Sequence, residues 1–311
     1  MAVIKAVAYG LAHAPDLVRY GSKPLRQLSN QPEVAPVLAA RLRSFGEAVA
    51  YPPNQAYIGN LPPFELRSVP RPWFVNACDD APARGRMGHI IDQGELYRQM
   101  AAADQFGTIQ PEGVSDETDA LPLYDGERIV GRVKAGHEHD EALQPRVLLE
   151  NLACKATAAQ AVRDLFEISR TEAAEIDYLI NTGEEAVGDR YQRGAGNMAK
   201  AVAEMTGCVE ATGEDVKAFC CAPVHGLVTA AALVEAKVFR NVVVFGGGSL
   251  AKLGMKFEAH LKHDMPILED VLGSMAVLVG PEDGVNPRIR LDIVGRHRVK
   301  AGSSAQAIAE S

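Results

Sequence analysis

The chain is short of positive charge, of cysteine and of aromatic residues, and each shortage excludes something. Its 311 residues carry 32 Lys and Arg against 40 Asp and Glu, a formal net charge of −8. That balance offers no footprint for nucleic acid and no attraction to an anionic membrane. The five cysteines, Cys78, Cys154, Cys208, Cys220 and Cys221, are odd in number and widely scattered. A chain of this length buries a core without covalent staples, so the pattern suits a reducing compartment better than a disulfide framework. Met1-Ala2-Val3-Ile4-Lys5 lacks the basic and apolar segments of a secretory signal, and the expected location is the cytoplasm. With 47% hydrophobic and 23% charged residues, the composition is that of an ordinary globular protein, of one large domain or two small ones.

Charge is also missing locally, from Ala218 to Val234. The run falls short of a bilayer span and holds Pro223, His225 and Gly226. Pro223 fits the first turn of a helix, where its missing N–H is no loss. The residues beyond it are apolar or small on every side, which predicts a helix buried all round. Cys220 and Cys221 stand just before that helix. Unpaired N–H groups and the positive end of the dipole there lower a thiol pKa and favour thiolate. The alternative is that both are small buried hydrophobes.

Around this stretch the chain reads in two parts, 1–120 and 121–311. Val3 to Tyr9 reads as a first strand. Leu11 to Pro72 is proline-rich and irregular, with Tyr51, Tyr57, Phe64, Trp73 and Phe74 interspersed. Prolines at that density disfavour regular elements, and the aromatics predict an ordered, extended arm lying across a neighbouring subunit. An acidic surface loop is expected over 104–119. Leu121 to Val133 reads as a hairpin about Asp125-Gly126. From Gln144 onward helix and strand alternate: a helix through Phe166, a strand at 176–180, a helix from Asn197 to Met205 ended by Gly207, and strands at 242–245 and 275–279. Alternation of this kind predicts an α/β fold on a mixed, largely parallel sheet.

The order of strand, turn, helix, cysteine elbow, buried helix and strand resembles the N-terminal half of the thiolase and ketoacyl-synthase superfamily. More closely, the chain resembles the beta subunit of component C of the glycine, sarcosine and betaine reductase complexes. The resemblance is carried by Tyr51-Pro52-Pro53-Asn54-Gln55-Ala56-Tyr57-Ile58-Gly59-Asn60, Pro70-Arg71-Pro72-Trp73 and Gln192-Arg193-Gly194-Ala195-Gly196-Asn197. It continues in Met265-Pro266-Ile267-Leu268-Glu269-Asp270-Val271-Leu272-Gly273 and Asp292-Ile293-Val294-Gly295-Arg296-His297. It implies a thiolase-like half-fold in which the elbow favours Cys220 over Cys221 as the nucleophile, with the acyl thioester that leads to acetyl phosphate held on this chain or on the alpha subunit. The implied partners are a selenoprotein acyl donor, a phosphate-acyltransferase-like alpha subunit and a second polypeptide supplying the C-terminal half with its catalytic His. Two departures stand out. The family cysteine is followed by Ala-Gly-Pro, whereas Cys220 precedes Cys221-Ala222-Pro223. The family protein also continues beyond the serine-rich Gly302-Ser303-Ser304-Ala305; the missing half is a separate chain, or it is lost or simply outside this fragment.

Other candidates surround the thiols. His225 lies one helical turn beyond them, within reach of either, as a base or as a packing residue. Glu184 and Glu185 follow a predicted strand, where α/β folds gather active-site groups, but suit a solvated turn equally. Arg193 and Asn197 could bind phosphate, and Asn197 could simply cap the next helix. Gly246-Gly247-Gly248 matches neither the Walker nor the dinucleotide spacing; in a thiolase-like fold Gly247 and Gly248 would bring backbone to the cysteine as an oxyanion region. His137-Glu138-His139-Asp140 lacks a second pair of ligands, and no metal site is expected. No cofactor is expected in this chain. A condensing enzyme that takes coenzyme A or pantetheine thioesters is one alternative, and a non-catalytic scaffold subunit is another.

Overall fold

The computed structural model describes residues 1–20, 28–112, 120–183 and 197–295. Its strands are β1 (Ala2–His13), β2 (Arg84–Gly85), β3 (Gly88–Ile91), β4 (Ile109–Pro111), β5 (Leu121–Asp125), β6 (Arg128–Val133), β7 (Tyr178–Gly183), β8 (Thr212–Lys217), β9 (Val242–Gly246) and β10 (Val271–Pro281). The helices are α1 (Pro15–Tyr20), α2 (Val34–Ala39), α3 (Phe45–Ala50), α4 (Pro52–Tyr57), α5 (Gln93–Ala103), α6 (Pro145–Ser169), α7 (Met198–Met205), α8 (Ala222–Glu235) and α9 (Phe257–Lys262).

A seven-stranded sheet runs β2-β3-β1-β10-β9-β7-β8. The fold is α/β with a mixed sheet, but the parallel share is smaller than the alternation of elements implies. β7 pairs parallel with β8 and β9, and β1 with β3, whereas β10 is antiparallel to both β1 and β9. The reason lies between β9 and β10. An antiparallel neighbour is entered at the end of the sheet where the previous strand finished. The intervening segment carries only a 3₁₀ turn and the short α9, with no long helix to cross back over the sheet as a parallel return requires.

Strand residues alternate between two cores, as a period of two demands. Val243 and Phe245 pack with Leu179, Ala276 and residues of α6 and α7 on one face. Val242, Val244, Ile180 and Val277 pack with Ala230, Ala231 and Val234 of α8 on the other. Gly226 lets α8 lie close, since a Cβ there would stand 2.7 Å from Thr182 Cγ2 and 2.9 Å from Val244 Cγ1.

The helix α8 is not buried all round. Its sheet face is, through Ala222, Gly226, Ala230, Ala231 and Val234. Val224 is 62% exposed, and His225 and Ala232 are exposed with it. An even apolar composition fixes no buried side; the neighbours do, and the described residues cover only one.

The proline-rich part also departs from the expected extended arm. Its prolines open helices instead of preventing them: Pro15 starts α1, and Pro52 and Pro53 stand in the first turn of α4, where proline is tolerated. Ser44 caps α3 in a reciprocal pair with Glu47, each side chain satisfying a first-turn N–H of the other. The segment packs on its own chain, with Val49 and Ile58 against Leu11 and Ile90. Within the motif at 51–60, Asn54 Nδ2 donates to Ala48 O at 2.7 Å and Gln55 Nε2 to Val49 O at 2.7 Å. Tyr57 Oη donates to Ser274 O at 3.0 Å. The hairpin forms as its sequence implies, with Gly126 at φ +65°, and part of the acidic loop becomes β4, a third strand beside β6.

A buried ionic cluster ties this part to β10. Asp270 accepts from Arg43 Nε at 3.0 Å and from a second Arg43 N–H, and His13 Nε2 lies 3.3 Å away. Burial alone would raise the Asp270 carboxyl, but His13 and Arg43 beside it hold it below the ordinary range.

Candidate functional site

Cys220 sits in a 3₁₀ turn, Phe219–Cys221, between the end of β8 and the start of α8. The turn is pinned at both ends: Ala218 N–H donates to Gly183 O at 3.3 Å, and Cys221 N–H to Ala218 O at 3.1 Å. Cys221 is the N-cap residue of α8 and its side chain makes no capping hydrogen bond. Both thiols are exposed, but they face different surroundings. Cys220 lines a cavity of about 450 Å³ together with Cys154, Asn181, Lys217, Pro223 and Gly247. Cys221 and His225 are not among its lining residues.

The glycines after β9 serve packing. A Cβ on Gly247 would stand 2.0 Å from Cys154 O, and one on Gly248 2.6 Å from Leu272 Cβ. Their N–H groups point the same way. Gly248 N–H donates to Thr157 Oγ1 at 2.9 Å, and Gly247 N–H faces the Cys154 sulfur. The expectation that they bring donors to Cys220 is therefore corrected: these amides serve α6. Gly246 and Gly247 still form part of the cavity wall. Beyond them, Glu150 accepts from Ser249 Oγ at 2.8 Å, Leu250 N at 3.1 Å and Ala251 N at 3.2 Å, which fixes the loop that closes the cavity.

Asn197 is a helix cap. Its Oδ1 accepts from Lys200 N at 2.7 Å and its Nδ2 donates to Gly213 O at 3.3 Å. Glu184, Glu185 and Arg193 lie outside the described residues. His137 and His139 are on the surface with local partners: His139 N–H donates to His137 Nδ1 at 3.2 Å, and Glu138 Oε1 lies 3.1 Å from His139 Nε2. Among the described residues no group of three or more side chains is placed to hold a metal ion, and no helix is long and apolar enough to cross a membrane.

Sequence reading missed the floor of the cavity. Asn181 and Lys217 come from the C-terminal halves of the parallel strands β7 and β8, where such sheets gather ligands. The sequence reading applies the same rule to Glu184 and Glu185, three and four residues beyond Asn181 and outside the described residues. Asn181 interrupts an apolar strand, and that polar intrusion was the available signal. Cys154 is half-buried on α6; desolvation pushes its thiol up to about 11, although the Lys217 charge pulls the other way.

Two solved β-ketosynthases match part of the chain. The priming β-ketosynthase of the R1128 polyketide pathway is 25% identical with a TM-score of 0.31, over 42% of this chain and 36% of its own. The β-ketoacyl-[acyl carrier protein] synthase III of Thermus thermophilus is 23% identical with a TM-score of 0.32, over 43% and 38%. The chain thus spans well under half of those structures. No family model matches the chain. The "Glycine/sarcosine/betaine reductase complex component C subunit beta" of Peptoclostridium acidaminophilum is 40% identical over 98% of this chain and 67% of its own length. The chain belongs to that family of reductase-complex beta subunits.

Proposed function

We propose that the chain is the acyl-transfer subunit of a component-C-like complex and that Cys220 carries the acyl group as a thioester on the way to acetyl phosphate. The observation that carries this reading is the position of Cys220: the thiol stands in the turn between β8 and α8 and opens on the cavity, while Cys221 does not line it. A thiol at a helix N-terminus meets first-turn N–H groups that favour thiolate and stabilise an oxyanion on the attacked carbon. His225 stands on the exposed side of α8, so in this reading the base comes from a second polypeptide carrying the C-terminal half. That partner covers the apolar outer face of α8. A selenoprotein supplies the acyl group and a phosphate-acyltransferase-like alpha subunit completes the assembly.

The test is to assemble the complex, supply its acyl donor without phosphate, and locate the acyl group by peptide mass spectrometry. Acylation on Cys220 is expected. Cys220→Ala should lower acetyl phosphate formation by roughly three orders of magnitude, as loss of a nucleophile does, and Cys221→Ala by less than about tenfold. Full activity in the double Cys220→Ala, Cys221→Ala variant would overturn the reading and leave a scaffold role.

A further inference from the structure

A second cavity, of about 410 Å³, lies between α5 and the three-stranded sheet β4-β6-β5 and shares no lining residue with the cavity at Cys220. Helical spacing puts Gly94, Tyr97, Arg98 and Ala101 on the side of α5 that lines it. The sheet contributes Ile109, Leu123 and Val130. Gly131, paired with Leu123 on one side and Pro111 on the other, leaves the middle of the sheet without a side chain. A Cβ there would stand 3.9 Å from Leu123 Cδ1. The polar groups of Tyr97 and Gln93 in the wall are already satisfied. Tyr97 Oη donates to Tyr124 O at 3.0 Å, and Gln93 exchanges hydrogen bonds with Asp16 N at 2.9 Å and Asp16 Oδ2 at 2.8 Å. What the wall offers a ligand is apolar: the Tyr97 ring, Ala101, Ile109, Leu123 and Val130.

The mouth is charged, and in both signs. Arg98, Asp125 and Arg128 line the cavity with side chains 70%, 68% and 70% exposed. Arg98 gives Nε and Nη2 to Glu95, at 2.9 and 2.7 Å. Its Nη1 lies instead over Gly94, 3.8 Å from where a Cβ would stand, and makes no hydrogen bond among the described residues. Arg128 Nη2 and Asp125 Oδ2 are 4.0 Å apart across the hairpin, beyond hydrogen-bond reach. A cation and an anion are thus held side by side, each short of a hydrogen-bonded partner, at the rim of an apolar wall.

That combination asks for a ligand with an apolar body and a head that is both anion and cation. A monocarboxylate would answer the two arginines but meet Asp125, and an alkylammonium would do the reverse. We propose that this cavity binds a free α-amino acid with a large apolar side chain. Its carboxylate accepts from the Arg98 and Arg128 guanidinium groups, its ammonium donates to Asp125, and its side chain lies against Tyr97, Ala101 and Leu123. The site goes beyond the acyl-transfer reading and uses no group of the Cys220 cavity. Burial of the apolar side chain supplies the affinity. The exposed charges supply the choice of head group, since each such pair adds little on its own.

Ligand-observed NMR titration of the full chain tests this with L-phenylalanine, 3-phenylpropionate and 2-phenylethylamine, which share one apolar body and differ in the head. L-Phenylalanine should bind about fivefold tighter than either half-headed compound, the size of one exposed ion pair. Arg128→Gln should remove most of its lead over 2-phenylethylamine, and Asp125→Asn most of its lead over 3-phenylpropionate. Ala101→Leu, at an exposed position, should weaken all three about fivefold or more by filling the cavity, and Cys220→Ala should change none. Absence of L-phenylalanine binding, equal or tighter binding of either half-headed compound, or unchanged binding in Ala101→Leu overturns the proposal. So does loss of binding in Cys220→Ala, which would put the ligand in the other cavity. Binding is read without turnover, so failure of the amino-acid site leaves acylation of Cys220 standing, and failure of acylation leaves the site standing.

Discussion

The two helices that sandwich the sheet behave opposite to their composition. α6 carries Lys155 and Asp164, yet both are buried, along with Leu148, Leu149, Leu152, Ala156 and Val162. α8 has no charged residue from Ala222 to Val234, yet it presents Val224 and His225 outward. Apolar content therefore marks what a helix is able to bury, and the surrounding elements decide what it does bury. α6 is enclosed by β1, β10, α5 and α7. α8 has the sheet on one side and an apolar face on the other, the kind of surface that marks an interaction site when contiguous.

The comparison breaks most easily at Leu152, which is fully buried. Leu152→Ala should cost about 2–5 kcal/mol through lost transfer energy and a cavity, read as a lower midpoint in denaturant unfolding. A loss below about 1 kcal/mol would mean that α6 is not enclosed at Leu152. Next in size is Thr157→Val. It keeps the shape of the side chain and removes the acceptor of the Gly248 N–H, leaving a buried donor unpaired at about 1–3 kcal/mol; the same unfolding assay decides.

A gentler effect belongs to Cys154 and its response to pH. The Cys154 thiol is raised from 9.0 to about 11 in the folded chain. Between those values the unfolded chain releases a proton that the folded chain keeps, so this contribution to stability is intact below pH 9 and fades as the pH climbs toward 11. Cys154→Ala should flatten that alkaline decline, and alkylation at neutral pH should reach Cys220 well before Cys154. Smallest of all, Val224→Ser should change the stability of the isolated chain by no more than about 0.5 kcal/mol and should weaken co-purification with a partner. A loss matching that of Leu152→Ala would erase the distinction between the helices.

What was legible in the sequence was whatever depends on local pattern. The apolar runs at 242–245 and 275–279, the helical spacing after Gln144, the Asp125-Gly126 turn and the glycine at 207 all appear where their chemistry puts them. Proline misled over residues 11–72, because the same residue ends one helix and begins the next, and only its place in the turn tells which. The direction of β10 was invisible, since strand direction is a property of the connection and not of the strand. At the site, Cys220 stood out through its uncharged surroundings. Asn181 and Lys217 did not, because which strand residues line a cavity is visible only after the strands have been placed.

The pairing of β1 with β10 reaches beyond the finished structure. Ala2 faces Pro281 and His13 faces Val271, so the first strand made is held by one made about 260 residues later. During synthesis at about 5–20 residues per second, β1 waits some tens of seconds before its central neighbour exists. Until then Val3, Ala8 and Leu11, all buried in the folded chain, belong to a strand with an open edge, a template for pairing with other chains. Contacts this distant in sequence also make for slow folding. A ribosome that stalls short of Val271 would release a chain that lacks β10, the middle strand of the sheet, and leaves β1 with an open edge, and expression of such shortened forms should yield aggregates in place of smaller folded domains.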